Sequence, residues 1–160
     1  MTDVRPARDD DLGSLPEIER AADGIFATIG IVGLPPVAST KEFAAAAAVL
    51  VAGDPPVGFA RLELKVGEAY LDQLSVHPSV MRHGIGAALL EAAVGWAREQ
   101  DYDSIFLATF RDVAWNAPFY ARHGFVETPA TTPGMRDVEA QERVLRMERV
   151  GPRILMRRTC

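Results

Sequence analysis

The stretch Leu74-Ser75-Val76-His77-Pro78-Ser79-Val80-Met81-Arg82-His83-Gly84-Ile85-Gly86-Ala87-Ala88-Leu89-Leu90 decides the fold: a strand ends, a short loop follows, and a glycine-rich turn opens an amphipathic helix. Apolar residues at Ile85, Ala88, Leu89, Ala92, Ala93 and Trp96 share one helical face, with Glu91, Arg98 and Glu99 for the wet side. That spacing predicts a helix over 84–100. Its first amides have no intrahelical acceptor and the positive end of its dipole lies there, so anionic phosphate is the natural guest. Gly84 and Gly86 let the backbone approach such a group, because a Cβ at either position would intrude on its oxygens. A dinucleotide fingerprint would need a third glycine near Leu89, and a Walker loop would need a lysine and a hydroxyl where Ala87 and Ala88 stand. Both nucleotide readings fall.

Upstream of this stretch, three β-like segments at 46–52, 57–66 and 69–76 are separated by Gly53-Asp54-Pro55-Pro56 and by Gly67-Glu68, and read as an antiparallel meander. A short first strand is expected at 4–7. Asp9-Asp10-Asp11 then supply a cap and an acidic first turn for a helix through Leu12, Leu15, Ile18 and Glu19 to about residue 22. Residues 23–40, with Gly30, Gly33, Pro35 and Pro36, read as a loop or broken helix. Downstream, 104–109 has strand length, 114–122 reads as a short helix ended by Gly124, 125–128 as a further strand, and 144–150 as the last one. The expected order is β-α-βββ-α-β-α-ββ, an α/β fold with a mixed, mostly antiparallel central sheet flanked by helices on both faces.

At 160 residues, 48% hydrophobic and 24% charged, the chain has the composition of one ordinary globular domain. The longest apolar stretch, about 43–52, is far short of the roughly 20 residues that span a bilayer. The polar start carries no apolar export signal, so a cytoplasmic location and no membrane partner are expected. Cys160 is the only cysteine, which excludes an internal disulfide, and His77, His83 and His123 lack ligand spacing, so no metal is expected. Net charge of -5 has the wrong sign for nonspecific nucleic-acid binding. The arginines at 143, 146, 149, 153, 157 and 158 read as a solvated face.

The glycine turn resembles motif A of the GNAT superfamily of acetyltransferases: Gln or Arg, two residues, Gly, one residue, then Gly or Ala, after a strand ending in a Leu-x-Val-x-Pro type sequence. Gly84 and Gly86 match the two small positions, while the Gln/Arg position falls on Met81, with Arg82 one residue later. Trp115-Asn116-Ala117-Pro118-Phe119-Tyr120-Ala121-Arg122-His123-Gly124-Phe125 resembles motif B, an Asn followed by a Phe-Tyr pair and a Gly-Phe ending. The resemblance covers roughly residues 57–128.

It implies an acetyl-coenzyme A dependent N-acetyltransferase that acts by direct transfer onto a primary amine of a small molecule. The alternatives are a protein lysine or N-terminal acetyltransferase and a non-catalytic domain that binds coenzyme A. A homodimer is compatible with it. Coenzyme contacts are implied at Leu74, Ser75, Val76, Met81, Arg82, His83, Gly84, Ile85, Gly86 and Asn116, mostly through main-chain N–H groups. The strand holding Leu74, Ser75 and Val76 is either splayed, offering an N–H to the thioester oxygen, or fully paired. Tyr120 matches the tyrosine near the coenzyme sulfur, where a phenol supplies the departing thiolate's proton. Its other reading is core packing. Asn116 is implied to bind the pantetheine arm or to cap its helix. Asp72 shares a strand face with Leu74 and Val76, awkward for an unpaired carboxylate, and is the candidate base unless an arginine pairs with it. Glu63 and Glu68 are its acidic neighbours. Ile25, Phe26, Ile29, Ile31, Val32 and Leu34 suggest that 23–40 forms an apolar pocket wall for a small amine.

Overall fold

In a computed structural model, which describes residues 3–160, the β-prone runs become seven strands. These are β1 Val4–Pro6, β2 Ala48–Ala52, β3 Gly58–Lys65, β4 Glu68–Val76, β5 Ser104–Phe110, β6 Val126–Thr128 and β7 Arg153–Thr159. They form one sheet in the order β1-β2-β3-β4-β5-β7-β6. Pairing is antiparallel for β1 with β2, β2 with β3, β5 with β7 and β6 with β7. It is parallel for β4 with β5, where Ala69 faces Ile105 and Tyr70 faces Phe106. The sheet is therefore mixed and mostly antiparallel. The α-helices are α1 Leu15–Asp23, α2 Thr40–Ala45, α3 Ile85–Glu99, α4 Ala117–Arg122 and α5 Pro133–Val144. Among the described residues, no helix is long and apolar enough to cross a membrane.

The chain divides into two compact units, one running up to Glu63 and including Leu71–Gly95, the other made of Leu64–Tyr70 and Trp96–Cys160. The first is built on Leu15, Ile18, Ala38, Phe43, Val51 and Phe59, with the Phe43 and Phe59 rings edge to face at 4.9 Å. Its entrance is fixed by Asp11, buried against the Arg5 guanidinium at 2.6 Å and accepting the Arg8 amide at 2.7 Å. These hydrogen bonds hold the Asp11 carboxyl well below its ordinary range. The second unit is built on Tyr70, Phe106, Met135, Val138 and Leu155.

Three segments differ from the sequence reading. The first helix opens with a 3-10 turn, Asp9–Ser14, and becomes α-helical only at Leu15. Helix α2 emerges where no helix is expected, started by a capping box in which the Ser39 hydroxyl accepts from the Glu42 amide and Glu42 accepts from the Ser39 amide. The largest correction concerns 144–150, which is not a strand. Helix α5 ends there in a 3-10 turn, Met147–Arg149, and the last strand is Arg153–Thr159.

The reason is the cap of α5. Pro133 stands in its first turn, the Thr132 hydroxyl accepts the Met135 amide, and the Glu68 carboxylate takes the Thr132 hydroxyl at 2.5 Å and the Gly134 amide at 2.6 Å. Met135 and Val138, three residues apart, then bury one face, whereas Val144 and Leu145 are exposed. Arg146, Arg149 and Arg157 are exposed, as a solvated face requires, and the other three arginines make contacts. Arg153 holds Glu142 through Nε and Nη2, Arg143 pairs with Glu139, and Arg158 donates to the His123 carbonyl.

Candidate functional site

The turn before α3 is shaped by its own backbone. His77 donates its amide to the Val57 carbonyl at 2.8 Å, which ties the end of β4 to the start of β3. Its ring nitrogen accepts the Ser79 amide and so caps the short 3-10 turn Pro78–Val80. Met81 is extended, and the chain then turns through left-handed Arg82 (φ 66°) and Gly84 (φ 78°). The first backbone bond of α3 runs from the Ala88 amide to the Gly84 carbonyl at 3.0 Å. The amides of Ile85, Gly86 and Ala87 therefore have no intrahelical acceptor. Arg82, His83 and Gly84 are exposed, and nothing stands within 4 Å of where a Gly84 Cβ would be. The arrangement is an open nest of donors at the positive end of a 15-residue helix.

Gly58 sets how closely that helix approaches the sheet. A Cβ on it would meet the Ser75 carbonyl at 3.0 Å, Leu89 Cδ1 at 3.1 Å and Ile85 Cγ2 at 3.4 Å. Only glycine allows the first turn of α3 to rest there. Nothing in the sequence of β3 alone marks this contact. Along β4, Ser75 is buried and its hydroxyl accepts from the Gln73 amide group at 2.9 Å, while Leu74 and Val76 are half-buried.

Asp72 lies 2.6 Å from an Arg61 nitrogen, so its paired reading holds in the structure. Arg61 also lies 3.8 Å from Glu63, which accepts the Ala47 amide, and its guanidinium covers the Phe43 ring at 5.6 Å. Glu68 belongs to the cap of α5, in the other unit, rather than to this group.

Sequence reasoning did not single out two acids of α1. Glu19 is 7% exposed and its Oε1 has no partner. Burial, and after it the charge of Asp23, pushes its carboxyl up to about 7, against the lowering influence of Arg61 and of the Ala38 amide that donates to it. Asp23, one turn further on, is half-buried, and desolvation pushes it up to about 6. A signal was present: Glu19 follows Leu15 and Ile18 on the buried stripe of α1, where an acid is out of place. Beyond α1, a concavity of about 540 Å³ is lined by Asp23, Ala27, Ile31, Val32, Leu34 and Pro35 among others. The 23–40 segment buries only Phe26 and Ala38, the latter in the core, and most of its other residues stay at the surface, several of them as the wall of the concavity.

In the second unit, Asn116 directly precedes α4, but its side chain makes no cap. Its Oδ1 accepts the Thr109 hydroxyl at 2.9 Å and the Phe110 amide at 3.3 Å. A backbone N–H can only donate, so the Asn116 oxygen must face β5, and that oxygen being engaged leaves its NH₂ as the donor end of the side chain. Tyr120 lies on α4 between Phe119 and Phe125, whose rings stand at 5.3 and 5.8 Å. Tyr120 is half-buried as a residue, and burial raises its phenol well above the ordinary value, the charge of Arg153 opposing it. The hydroxyl is a neutral donor across the working pH range. Trp96 stacks on Tyr102 at 6.1 Å, which is packing. The predicted coenzyme residues thus fall into two groups, 74–86 with Asp72 in the first unit and Asn116 with Tyr120 in the second.

A sequence model described as the acetyltransferase (GNAT) family matches residues 32–125. Among solved structures, the chain is similar to a Mycobacterium tuberculosis protein in complex with CoA and NLQ, at 22% identity over 99% of each chain and a TM-score of 0.69. It is similar to the ribosomal-protein-S18-alanine N-acetyltransferase of Escherichia coli at 20% identity over 99% of this chain and 94% of that one, TM-score 0.70. N-acetylglutamate synthase of Neisseria gonorrhoeae, complexed with coenzyme A and N-acetyl-glutamate, matches at 17% identity over 99% of this chain and 35% of its own, TM-score 0.69.

Proposed function

Since the chain belongs to the acetyltransferase (GNAT) family, whose model matches more than half of its length, we propose that it moves the acetyl group of acetyl-coenzyme A to the primary amine of a small molecule, by direct transfer without a covalent enzyme intermediate. The observation that carries this reading is the open nest at 84–87, where three amides lack intrahelical acceptors beside a bare Gly84. Those groups fit a diphosphate, with the Arg82 side chain, exposed at the same turn, adding a positive charge. Met81 contributes its backbone only.

When bound, the coenzyme supplies an activated acetyl thioester. The protein's residues do the rest. Backbone groups of Leu74, Ser75 and Val76 align the thioester, and an N–H there is worth roughly 3 kcal/mol when it meets developing oxyanion charge. The NH₂ of Asn116 donates to the pantetheine arm, and Tyr120 gives the proton that the departing thiolate needs. Asp72, on β4, keeps the Arg61 side chain of β3 in place.

The concavity beyond α1 suits a small acceptor: about 540 Å³ falls within the range of ligand pockets, its walls are Ile31, Val32, Leu34 and Pro35, and Asp23 offers the one carboxylate among its lining residues. Arg20 lines the same concavity, so an amine with an apolar portion and an anionic group of its own, as in an amino acid, matches that chemistry. The test is calorimetry with coenzyme A together with thiol release from acetyl-coenzyme A over a panel of amino acids, small amines and peptides. One coenzyme per chain and release driven by an apolar small amine are expected. No heat of binding, or release driven by peptides alone, would defeat the reading.

A further inference from the structure

We propose that Glu19 is the proton acceptor of this reaction, reached from the acceptor amine through Asp23. The inference rests on the reading of the chain as an acetyltransferase and adds to it the base that the motifs do not supply. Glu19 and Asp23 stand one turn apart on the same face of α1, and Asp23 lines the concavity. Glu19 is more than nine-tenths buried, and only one of its oxygens is engaged in a way a structural carboxylate would be, by the Ala38 amide. Its Oε1 has no partner. Buried polar atoms are nearly always satisfied, and an acceptor left open behind a pocket-lining acid is placed to receive a proton.

The surroundings keep it available. The groups facing Glu19 are Asp23 from α1, Arg61 from β3, Asp72 from β4 and the Ala38 amide before α2. Arg61 is the cation whose charge reaches Glu19; it makes its ion pair with Asp72 at 2.6 Å and its Nε has no hydrogen-bond partner. Asp72 thereby becomes a positioning residue: it takes the ion pair of the guanidinium that acts on Glu19. The resulting carboxyl titrates at about 7, close to the ideal for a base working near neutrality.

The step balances as follows. The acceptor arrives as an ammonium; one N–H bond breaks, its electron pair stays on nitrogen, and the proton passes by way of Asp23 to Glu19. The C–N bond then forms as C–S breaks. The second proton lost from nitrogen matches the one that Tyr120 gives to sulfur and recovers, and Glu19 returns its proton to solvent.

The experiment compares kcat/KM against pH for the intact protein, Glu19→Gln and Asp72→Asn, with coenzyme Kd measured on each. The intact protein should show a limb rising through pH about 7. In Glu19→Gln the limb at about 7 should be lost, leaving only one near 6 from Asp23, and the rate above it should fall about 100-fold with coenzyme Kd unchanged. Asp72→Asn should keep the limb but move it to lower pH, because Asp72 both raises Glu19 and restrains Arg61. If Glu19→Gln does not fold, the carboxyl carbon of Glu19 in the intact protein must titrate with the same midpoint as the limb. A limb at about 7 and a rate retained in Glu19→Gln, that limb lost only in Asp72→Asn, or a carboxyl that titrates elsewhere overturns the assignment while leaving the acetyltransferase reading intact. An intact protein that binds coenzyme but transfers to no amine overturns both.

Discussion

The glycine turn before α3 and the acid cluster on α1 lie in the same unit and are built in opposite ways. The turn offers main-chain amides, fixed by where a helix starts and by two left-handed residues, Arg82 and Gly84. In the proposed reading side chains matter little there, and Met81 then occupies without penalty a position that the motif gives to Gln or Arg. The cluster offers side chains only: Glu19, Asp23, Arg61 and Asp72 come from three elements, and their properties exist because they meet. A backbone site tolerates substitution as long as the helix begins in the same place. A side-chain site is altered by a single atom.

That contrast can be broken or sharpened by experiment. The largest expected effect is on stability against pH. Glu19 has a folded value of about 7 against an ordinary 4.5, so its contribution is fully present below pH 4.5 and is lost as pH rises through 7. Glu19→Gln should remove Glu19's share of that loss, on the order of 3 kcal/mol, and leave the share of Asp23, which desolvation pushes up to about 6; chemical denaturation at pH 5 and pH 8.5 reads the difference directly. The same loss in the variant as in the intact protein would mean that Glu19 is not coupled to folding. Next, Tyr120→Phe should lower kcat about 100-fold while coenzyme Kd stays within twofold, and an unchanged kcat would remove the hydroxyl from the mechanism.

Gly58→Val tests whether the backbone site depends on close packing. Its Cβ would press on the Ser75 carbonyl, which cannot step aside, and on Leu89, so a loss of about 2 kcal/mol in urea denaturation is expected together with weaker coenzyme binding. An unaltered midpoint and Kd would show that the turn is indifferent to how α3 sits on β3. The smallest effect belongs to Met81→Arg. If the amides carry the binding, restoring the family residue should change coenzyme affinity by less than about 0.5 kcal/mol. A tenfold gain would return weight to the side chain.

How much of this was legible depended on distance along the chain. Helix α3, its turn and the β2 to β4 meander were readable because their signals are local: period, glycine placement and turn residues within about ten positions. Helix α5 was not, although Thr132 and Pro133 announce a start, because the group that completes its cap, Glu68, stands 64 residues earlier. The apolar run at Val144, Leu145 and Val150 then drew the last strand to the wrong place. Asn116 was marked by its motif, but whether it would cap α4 or reach β5 depended on Thr109 and Phe110.

By itself, then, the sequence determined the family, the mixed sheet and the glycine turn that opens α3, since each follows from short-range geometry that a few residues dictate. Only the tertiary structure decided that Asp72 is bound to Arg61, that Gly58 admits α3, and that Glu19 is enclosed with an open oxygen. The proton affinity of a carboxylate is set by desolvation and by charges several ångströms away, and those are supplied by whichever distant segments folding brings beside it.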